Sequence, residues 1–452
     1  MAGVLAGLAW APFWLGGDRP FAWGVNGIWF PALALAYEIS VLARGKKHPV
    51  GVRRVAAPAG LFLIAVLWIG VQTSTFIPPA AAHPIWKLAS NVLGVHLKGV
   101  ISVNPQASAL ALMRLLTESL LLWLTIQLCR APRRAILLIE TIVAIVAAYS
   151  AYGLVLSAFY RADIPFFDAP DAGRLVRSTF VNRNNFATYA GLGLIAATAL
   201  ILRFFRREAL AIEGRRSYRL SQLLEATGRR GWPLVAASLV ILAALLGTLS
   251  RGGVLATIFG LFALFALTFA RQSHRSQQIE TILFVTSALL GGFLLFGDRI
   301  VGRIAEAGLT DESRMAVYAI IMHSLRDSPL LGFGYGAFAD VFPMYRDQSI
   351  SPLGVWDMAH NSYLEVLQGL GLIFGAALIS ALMLLVWKCL RGAVTRRAGA
   401  TAAIVAASAA LLVGAHAMVD FSLQIEAVAL TFMALLGAGV AQSESSRQVF
   451  SD

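Results

Sequence analysis

Long apolar stretches separated by short polar connections run along almost the whole chain. Most of them are long enough to cross the roughly 30 Å hydrocarbon core of a bilayer as an α-helix. About twelve spans are predicted on this criterion, near residues 2–16, 20–43, 55–74, 107–128, 135–158, 185–203, 232–249, 253–270, 279–296, 360–388, 400–417 and 422–440. The first stretch is short, and either of the last two fits a re-entrant segment, so a slightly smaller number of spans also agrees with the pattern. The pattern predicts an all-α polytopic integral membrane protein in which residues 1–452 form a single membrane domain.

Composition supports this class. Hydrophobic residues make up 58% of the 452 residues and charged residues only 13%, and the mean hydropathy is +0.72. A soluble globular protein of this length would need far more polar surface, so that class is excluded.

The connections between the predicted spans alternate between two kinds. One kind, taken with the C-terminal tail, holds 23 Lys and Arg against 6 Asp and Glu, whereas the other holds 13 against 13. Because an excess of Lys and Arg marks the cytoplasmic side, both termini are predicted to be cytoplasmic. Residues 203–231 then form a basic cytoplasmic loop, and residues 297–359 form a large external loop. The net charge of +13 is therefore a topology signal and does not indicate nucleic-acid binding.

A histidine begins the tenth predicted span, in the stretch MAHNSYLEV (358–366). The predicted orientation places His360 at the external membrane surface, with Asp357 before it and Glu365 after it. Imidazole is a suitable general base at neutral pH, although a lone histidine also serves as a structural cap or fills a polar niche. Asn361 fits either the cap of the following helix or a contact to a ligand.

Two arginines lie on the same predicted side. Arg251 occupies the tight turn TLSRGGVL between the seventh and eighth spans, and Arg314 opens a largely apolar helix that ends before Pro329. A guanidinium at the hydrocarbon boundary needs a partner or an aqueous cavity, or it extends to lipid phosphate. Tyr318 lies one turn after Arg314 in the same predicted helix.

The stretch RLVRSTFVNRNNFATYA (174–190) carries three further arginines into the sixth span: Arg174, Arg177 and Arg183. They fit an anion site, and they fit equally well a solvated loop balanced by nearby aspartates. Inside the fourth span, Arg114 and Glu118 lie one turn apart, a spacing that permits mutual neutralisation. That pair fits a structural role or a role in a cavity.

Arginines and one histidine at an external membrane surface predict a particular chemistry. Arginine recognises phosphate through paired donors, and a membrane-embedded phosphate with a long apolar tail fits such a site. Glycosyl transfer from a polyprenyl diphosphate needs stabilisation of the departing diphosphate and a base for the acceptor hydroxyl. Because the sequence has no cluster of metal-ligand residues, neither a metal nor another cofactor is predicted. Candidates for contacts to the diphosphate or glycan are Arg174, Arg177, Arg183, Asn361 and Tyr318.

An ordered set of motifs between about residues 175 and 375 resembles the bacterial O-antigen ligase and O-antigen polymerase superfamily. The motifs are VNRNNFATYA, LSRGG, SRMAVYAIIMHSLRDSPLLGFGYGAF and HNSYLEVLQGLGLIFG. The resemblance implies a fold like that of GT-C glycosyltransferases, with about twelve spans and amphipathic helices in a large periplasmic loop. It also implies that His360, Arg251 and Arg314 are the catalytic residues.

The resemblance further implies the reaction. A glycan would pass from undecaprenyl diphosphate to lipid A-core or to a growing polysaccharide, with inversion and without metal. The site would lie at the periplasmic face of the bacterial inner membrane, among membrane lipids. An O-antigen ligase is favoured, and a polymerase of O-antigen or exopolysaccharide is the first alternative. Ligases often carry a small residue or tyrosine where this chain has Phe374, which slightly favours the polymerase.

A transporter or flippase of polysaccharide or lipid is an alternative from another class. The predicted spans contain ionisable residues that a transporter would use near the middle of the membrane: Arg114, Glu118, Glu140 and Glu426. Against it, the candidate site residues concentrate on the external side rather than near the middle of the membrane, and one external connection is much longer than the rest.

Overall fold

The structure is a computed structural model, and it describes residues 1–159, 175–211, 228, 231–271, 312–351, 355–396 and 399–443. The helices in these ranges are α1 (Ala2–Trp10), α2 (Pro20–Ala43), α3 (Ala56–Thr73), α4 (Ile85–Leu93), α5 (Pro105–Leu128), α6 (Pro132–Phe159), α7 (Arg183–Ala211), α8 (Trp232–Gly247), α9 (Arg251–Phe269), α10 (Glu312–Asp327), α11 (Phe338–Tyr345), α12 (Ser362–Thr395), α13 (Thr401–His416) and α14 (Glu426–Ser443). Within the described ranges there is no β-strand. The predicted all-α class is confirmed for this part of the chain.

Eight helices of the described ranges are long and apolar enough to cross a membrane: α2, α3, α5, α6, α7, α9, α12 and α14. The helices α8 and α13 are apolar but have 16 residues each. The predicted span at 2–16 contains the nine-residue α1, followed by turns and the start of a short 3-10 helix at Leu15–Gly17. The helix α1 rises roughly 14 Å at about 1.5 Å per residue and is too short to cross by itself. The predicted span at 279–296 lies outside the described residues, so the count of twelve stays a prediction.

The two long predicted loops are only partly described. The helix α7 continues to Ala211, so the first residues of the predicted loop 203–231 are helical, and most of the rest lies outside the described ranges. The region 297–359 contains α10 and α11, in agreement with the prediction of helices there. Its location on the periplasmic side stays a prediction.

Connections that the charge pattern assigns to opposite sides lie at opposite ends of the bundle. We call the end where α5, α9 and α12 begin the site end, because Arg251 and His360 lie there. Contacts among helix ends and connections at the site end are Gln72 with Gly369, Val103 with Phe333, Thr179 with Pro12 and Val176 with Gly247. Contacts at the other end are Gln127 with Val50, Gln442 with Cys129 and Arg271 with Ala393. This segregation agrees with the predicted alternation of the loops.

The helix α14, the last in the described ranges, lies at the centre of the bundle. It is buried along almost its whole length and packs against α5, α12 and α13, and also against α6 and α7. Small residues allow these close approaches: a Cβ at Gly439 would collide with Ala406 and Cys389. Since apolar helices gain no hydrophobic energy from leaving lipid, close van der Waals packing of this kind holds the bundle together.

A kink in α12 joins the bundle to the loop that follows α10. Gly371 has φ 78° and ψ 167°, a backbone conformation that is essentially restricted to glycine. Around the kink, the backbone N–H of Phe333 donates to the carbonyl of Gln368 at 3.1 Å, and that of Leu372 donates to Pro329 at 2.7 Å. The kink therefore exposes helix carbonyls and amides that the loop uses as partners.

We expect Gly371→Ala to destabilise the fold by more than about 1 kcal/mol, because a Cβ forces the unfavourable φ. That Cβ would also collide with the carbonyl oxygen of Leu330. The measurement is the midpoint of thermal unfolding in detergent. Gly70→Ala is the matched control, because Gly70 lies in α3 and a Cβ there meets no other atom. Equal midpoints for the two variants would contradict the proposed role of the kink.

Candidate functional site

The connection between α13 and α14 is the centre of the site end. We call residues 416–422 of this connection the 416–422 turn. Three consecutive carbonyl oxygens in it accept hydrogen bonds from other segments. The acceptors are Ala417 (from Ser362 N, 2.9 Å), Met418 (from Asn361 Nδ2, 3.0 Å) and Val419 (from Arg314 Nη1, 2.6 Å). The turn thus brings the start of α12 and the start of α10 to one place.

His360 lies immediately before α12 in an uncommon backbone conformation. Its φ is 51°, the left-handed region in which histidine is one of the more frequent non-glycine residues. Tyr318 Oη donates to the carbonyl of His360 at 2.8 Å. Asn361 caps α12 by accepting from the backbone amides of Tyr363 and Leu364, which agrees with the predicted capping role. These contacts hold the reversed backbone and so set the direction of the imidazole.

The imidazole of His360 faces a buried carboxylate. Its Nδ1 lies 3.6 Å from Oδ1 of Asp420, whose side chain has no exposed surface. Ser422 Oγ donates to the other oxygen of Asp420 at 2.7 Å. His416 Nδ1 lies 3.9 Å from Asp420 Oδ2. A carboxylate facing Nδ1 favours the tautomer that carries its proton there and leaves the lone pair on Nε2.

Opposing effects act on the pKa of Asp420. Burial alone would raise this pKa, but the facing imidazole of His360, the charge of His416 and the hydroxyl of Ser422 lower it below the ordinary value. The balance favours an ionised Asp420 at neutral pH. A fixed negative charge therefore lies behind His360.

Two aromatic rings enclose the imidazole of His360 on its other sides. Trp356 and Phe421 meet it edge to face, with ring centroids 5.4 Å and 4.8 Å away. The side chain of His360 keeps 20% of its surface exposed. A ring that is packed on several sides but still partly exposed is oriented and remains accessible to a reactant.

Arg251 is the first residue of α9 and lies close to the same turn. Ser250 caps α9 by accepting from Gly253 N at 3.2 Å. The next residue, Gly252, has no side chain, and a Cβ there would lie 3.0 Å from His416 Nε2. Among the residues that the structure describes, none provides a hydrogen-bond acceptor for the buried Nη1 of Arg251. A buried guanidinium N–H of this kind fits an anionic ligand.

A layer of buried polar residues supports the 416–422 turn from α7. Thr188 Oγ1 lies 2.6 Å from His416 Nδ1 and 2.9 Å from Ser422 Oγ. Ser422 Oγ also lies 3.1 Å from Asn185 Oδ1. The motif VNRNNFATYA supplies both Asn185 and Thr188, so part of this motif holds the turn in position.

The three arginines predicted as an anion site around this motif differ in their position in the structure. Arg177 is buried with 3% of its surface exposed, and its Nη1 donates to the carbonyl of Val181 at 3.4 Å. Arg183 is the first residue of α7, at the site end and two residues before Asn185. Arg174 lies outside the described residues. Substrate contacts of all three stay predictions.

A cavity of about 1150 Å³ runs along α5 beside the site. Its wall shares Met358, Ser362 and Met418 with the immediate surroundings of His360, whereas His360 itself lies outside the wall. The wall carries four charged residues near the site end, Asp18, Arg19, Asp357 and Glu365, and two more toward the middle of α5, Arg114 and Glu118. Toward the other end it is apolar, with Leu122, Ile126, Leu385, Val386 and Phe432. Such a cavity suits an amphipathic ligand with a polar end near the site.

Sequence reasoning missed the residues of the 416–422 turn. The charge pattern places Asp420 in an external connection, but it predicts no role for Asp420 or for His416. The only signal was a carboxylate in a short connection between two apolar stretches, MVDFSLQIEA. An ionisable residue at a membrane boundary is a functional candidate by default, and this criterion would have found Asp420.

These features define a polytopic helical membrane protein with a polar site at one end of its bundle. A family model described as O-antigen ligase matches residues 235–379, roughly a third of the chain. The match includes Arg251, Arg314 and His360 and ends before Asp420. The predicted resemblance to the O-antigen ligase and polymerase superfamily is confirmed. The family indicates a glycosyl-transferring enzyme that uses lipid-linked glycan and polysaccharide substrates. No curated protein matches the chain.

We expect Thr188→Val to lower stability by about 1–3 kcal/mol, because His416 and Ser422 each lose a buried partner. Thr198→Val is the matched control on the same helix, since the Thr198 hydroxyl donates only to the carbonyl of Leu194 in its own helix. Thermal midpoints of the purified variants provide the measurement. If the control loses as much stability as Thr188→Val, the buried layer does not support the turn.

Proposed function

We propose that the protein transfers a glycan from undecaprenyl diphosphate to a hydroxyl acceptor at the periplasmic face of the bacterial inner membrane. The observation that carries the proposal is the position of His360, whose imidazole faces the carboxylate of Asp420. Asp420 belongs to the same turn that accepts a hydrogen bond from Arg314. A base that is held by a fixed carboxylate and accompanied by guanidinium groups suits displacement of a diphosphate.

In the proposed reaction, the acceptor oxygen bonds to the anomeric carbon as the bond from that carbon to the diphosphate oxygen breaks. The electron pair leaves with the diphosphate, and the acceptor proton passes to Nε2 of His360. Asp420 stabilises the imidazolium that forms. Attack from the side opposite the leaving group inverts the anomeric configuration.

Arg251 and Arg314 are proposed to stabilise the negative charge that develops on the leaving diphosphate. The buried Nη1 of Arg251 supports this role. The N-termini of α9 and α12 lie at the same end of the bundle and add a favourable field for an anion. Fixed positive charges can supply this stabilisation without a metal, and we propose that the reaction is metal-independent.

The cavity along α5 is proposed to hold the apolar chain of a lipid-linked substrate. Its charged end adjoins the surroundings of His360, and its apolar part continues toward the opposite end of the bundle. Tyr318 and Asn361 use their polar groups to hold His360 and the 416–422 turn, which supports a positioning role. Their contact with the glycan stays a prediction, as do those of Arg174, Arg177 and Arg183.

We propose an O-antigen ligase-like acceptor, lipid A-core, ahead of a growing polysaccharide chain. The residue type at Phe374 slightly favoured the polymerase. In the structure the ring of Phe374 stacks on Trp68, with centroids 4.1 Å apart, so a packing role accounts for this residue. The discriminating experiment is reconstitution with an undecaprenyl-diphosphate glycan and both acceptors. The acceptor that becomes extended decides between the two activities.

Ionisable residues along the cavity favour a second candidate, a lipid or polysaccharide transporter. Arg114 Nε lies 3.8 Å from Glu426 Oε1, and Asn26 Nδ2 donates to the other oxygen of Glu426 at 2.5 Å. Arg114 therefore has a partner on another helix besides the predicted Glu118. If the protein is a transporter, Glu118→Gln should reduce its activity more than His360→Ala does. If it transfers a glycan, His360→Ala should reduce its activity more.

We expect His360→Ala to reduce glycan transfer by about 10²–10⁴-fold, the usual contribution of a general base. Arg251→Ala and Arg314→Ala should each reduce it by at least about 10²-fold through lost charge stabilisation. The measurement is the rate of glycan transfer by each purified variant that inserts normally into the membrane. EDTA should not change the rate of the wild-type protein.

The matched controls are His323→Ala and Arg326→Ala, because both residues are exposed on α10. They should keep wild-type activity. Wild-type transfer by His360→Ala would refute His360 as the base. Loss of transfer in EDTA would refute a metal-independent reaction.

We expect Asp420→Asn to slow transfer by about tenfold or more, because the negative charge that stabilises the imidazolium formed in the reaction is lost. The lowered pKa of Asp420 means that the wild-type carboxylate carries this charge at neutral pH. The measurement is the rate of transfer by both purified proteins, together with their thermal midpoints. A wild-type rate would contradict the proposed role of Asp420, and a slower rate that only follows a loss of folded protein would mean that Asp420 is structural.

A further inference from the structure

We propose that α4 (Ile85–Leu93) lies in the head-group region of the bilayer with its apolar face in the lipid. The helix belongs to the connection between α3 and α5, to which neither the predicted site nor the proposed function assigns a role. At 100° per residue, one face carries the apolar residues Ile85, Trp86, Leu88, Ala89, Val92 and Leu93. The opposite face carries Lys87, Ser90 and Asn91. This strict separation is typical of helices that lie on a membrane surface.

Half of the residues on the apolar face of α4 are exposed, and the other half are partly buried. The exposed fractions are 60% for Leu88, 77% for Val92 and 64% for Leu93, and no residue of the helix is buried. Phe76, which precedes the helix, is 98% exposed. An exposed apolar surface of this kind, outside the eight helices that are long and apolar enough to span a membrane, marks an interaction site.

Contacts at both ends of the connection fix the position of α4 along the axis of the helix bundle. Trp86 Nε1 donates to the carbonyl of Ser102 at 3.1 Å, and Ser102 N donates to Gln72, at the end of α3, at 2.9 Å. Val103 N donates to Phe333 at 2.9 Å. These contacts hold α4 at the site end, next to the point where the spanning helices α3 and α5 leave the bilayer.

The lipid surface is the occupant that these surroundings support. The connection that contains α4 follows α3 directly, and α3 carries exposed apolar residues of its own, Leu63, Leu67 and Val71. Lys87 and Lys98 are exposed beside it, and their charges complement lipid phosphates. An apolar face at the height of the head groups, flanked by lysines, is suited to insert about 5–10 Å into the boundary of the acyl chains.

The position of α4 also bears on the cavity. The segment that it anchors pairs with the 332–336 loop, and Tyr335 and Gly336 of that loop line the charged end of the cavity. A lipid-bound α4 would hold that end at the level of the head groups. The inference depends on the described geometry alone and does not rest on glycan transfer.

The test uses single cysteines in proteoliposomes. Leu88→Cys and Val92→Cys place a probe on the apolar face, and Asn91→Cys is the matched control on the polar face. Cys129 and Cys389 are free and buried, and both are replaced by Ala. If that background does not fold, the native cysteines are kept and the unmutated protein serves as the labelling blank. Each cysteine carries an environment-sensitive NBD label, and quenching is measured with nitroxide phospholipids and with aqueous iodide.

We expect nitroxide phospholipids to quench the labels at positions 88 and 92 much more than the label at position 91. Iodide should show the opposite order, and the emission at 88 and 92 should be shifted to the blue. Equal iodide quenching at all three positions would overturn the proposal, because the face would then be in water. Protection of 88 and 92 from both quenchers would also overturn it, because a protein surface would then cover the helix.

Discussion

A buried carboxylate sets the arrangement of the site end. Asp420 has no exposed surface, and an ionised carboxylate in such surroundings costs several kcal/mol unless partners compensate it. His360, His416 and Ser422 are those partners. They come from the start of α12, the end of α13 and the following connection. Satisfying one charge therefore determines how these elements meet, and it places the imidazole of His360 at the surface of the resulting cluster.

The backbone of the 416–422 turn adds a second constraint. Carbonyl oxygens at and beyond the end of a helix have no partner within that helix, and at a membrane boundary they need other donors. The three oxygens of Ala417, Met418 and Val419 receive donors from α10 and from the start of α12. Arg314 and His360 are thus brought together by the needs of one turn, although 46 positions separate them in the sequence.

The site offers polar groups to one end of an amphipathic substrate, and the cavity offers apolar surface to the rest of it. Fixed charges gather at the site end, where they need no reorganisation during a reaction, and the apolar part of the cavity runs along α5. The kink at Gly371 contributes to this division, because it joins the 332–336 loop to α12 beside the charged end of the cavity. An α4 helix in the head-group region would place that charged end where lipid head groups lie.

The sequence by itself determined the helical membrane class, the alternation of connections between two ends, the cap at Asn361 and the grouping of His360, Arg251 and Arg314 at one end. Apolar length, charge balance and local capping are properties of short segments, so they can be read without the fold. Only the tertiary structure decided that Asp420 lies behind His360, that Thr188 supports the turn and that Arg114 pairs with Glu426. Those contacts join distant segments, and their partners are chosen by helix packing, which no local pattern encodes. Hydropathy predicts a span at residues 2–16 because it measures apolar content and not the length of the helix that forms. The α-helix that forms there has only nine residues.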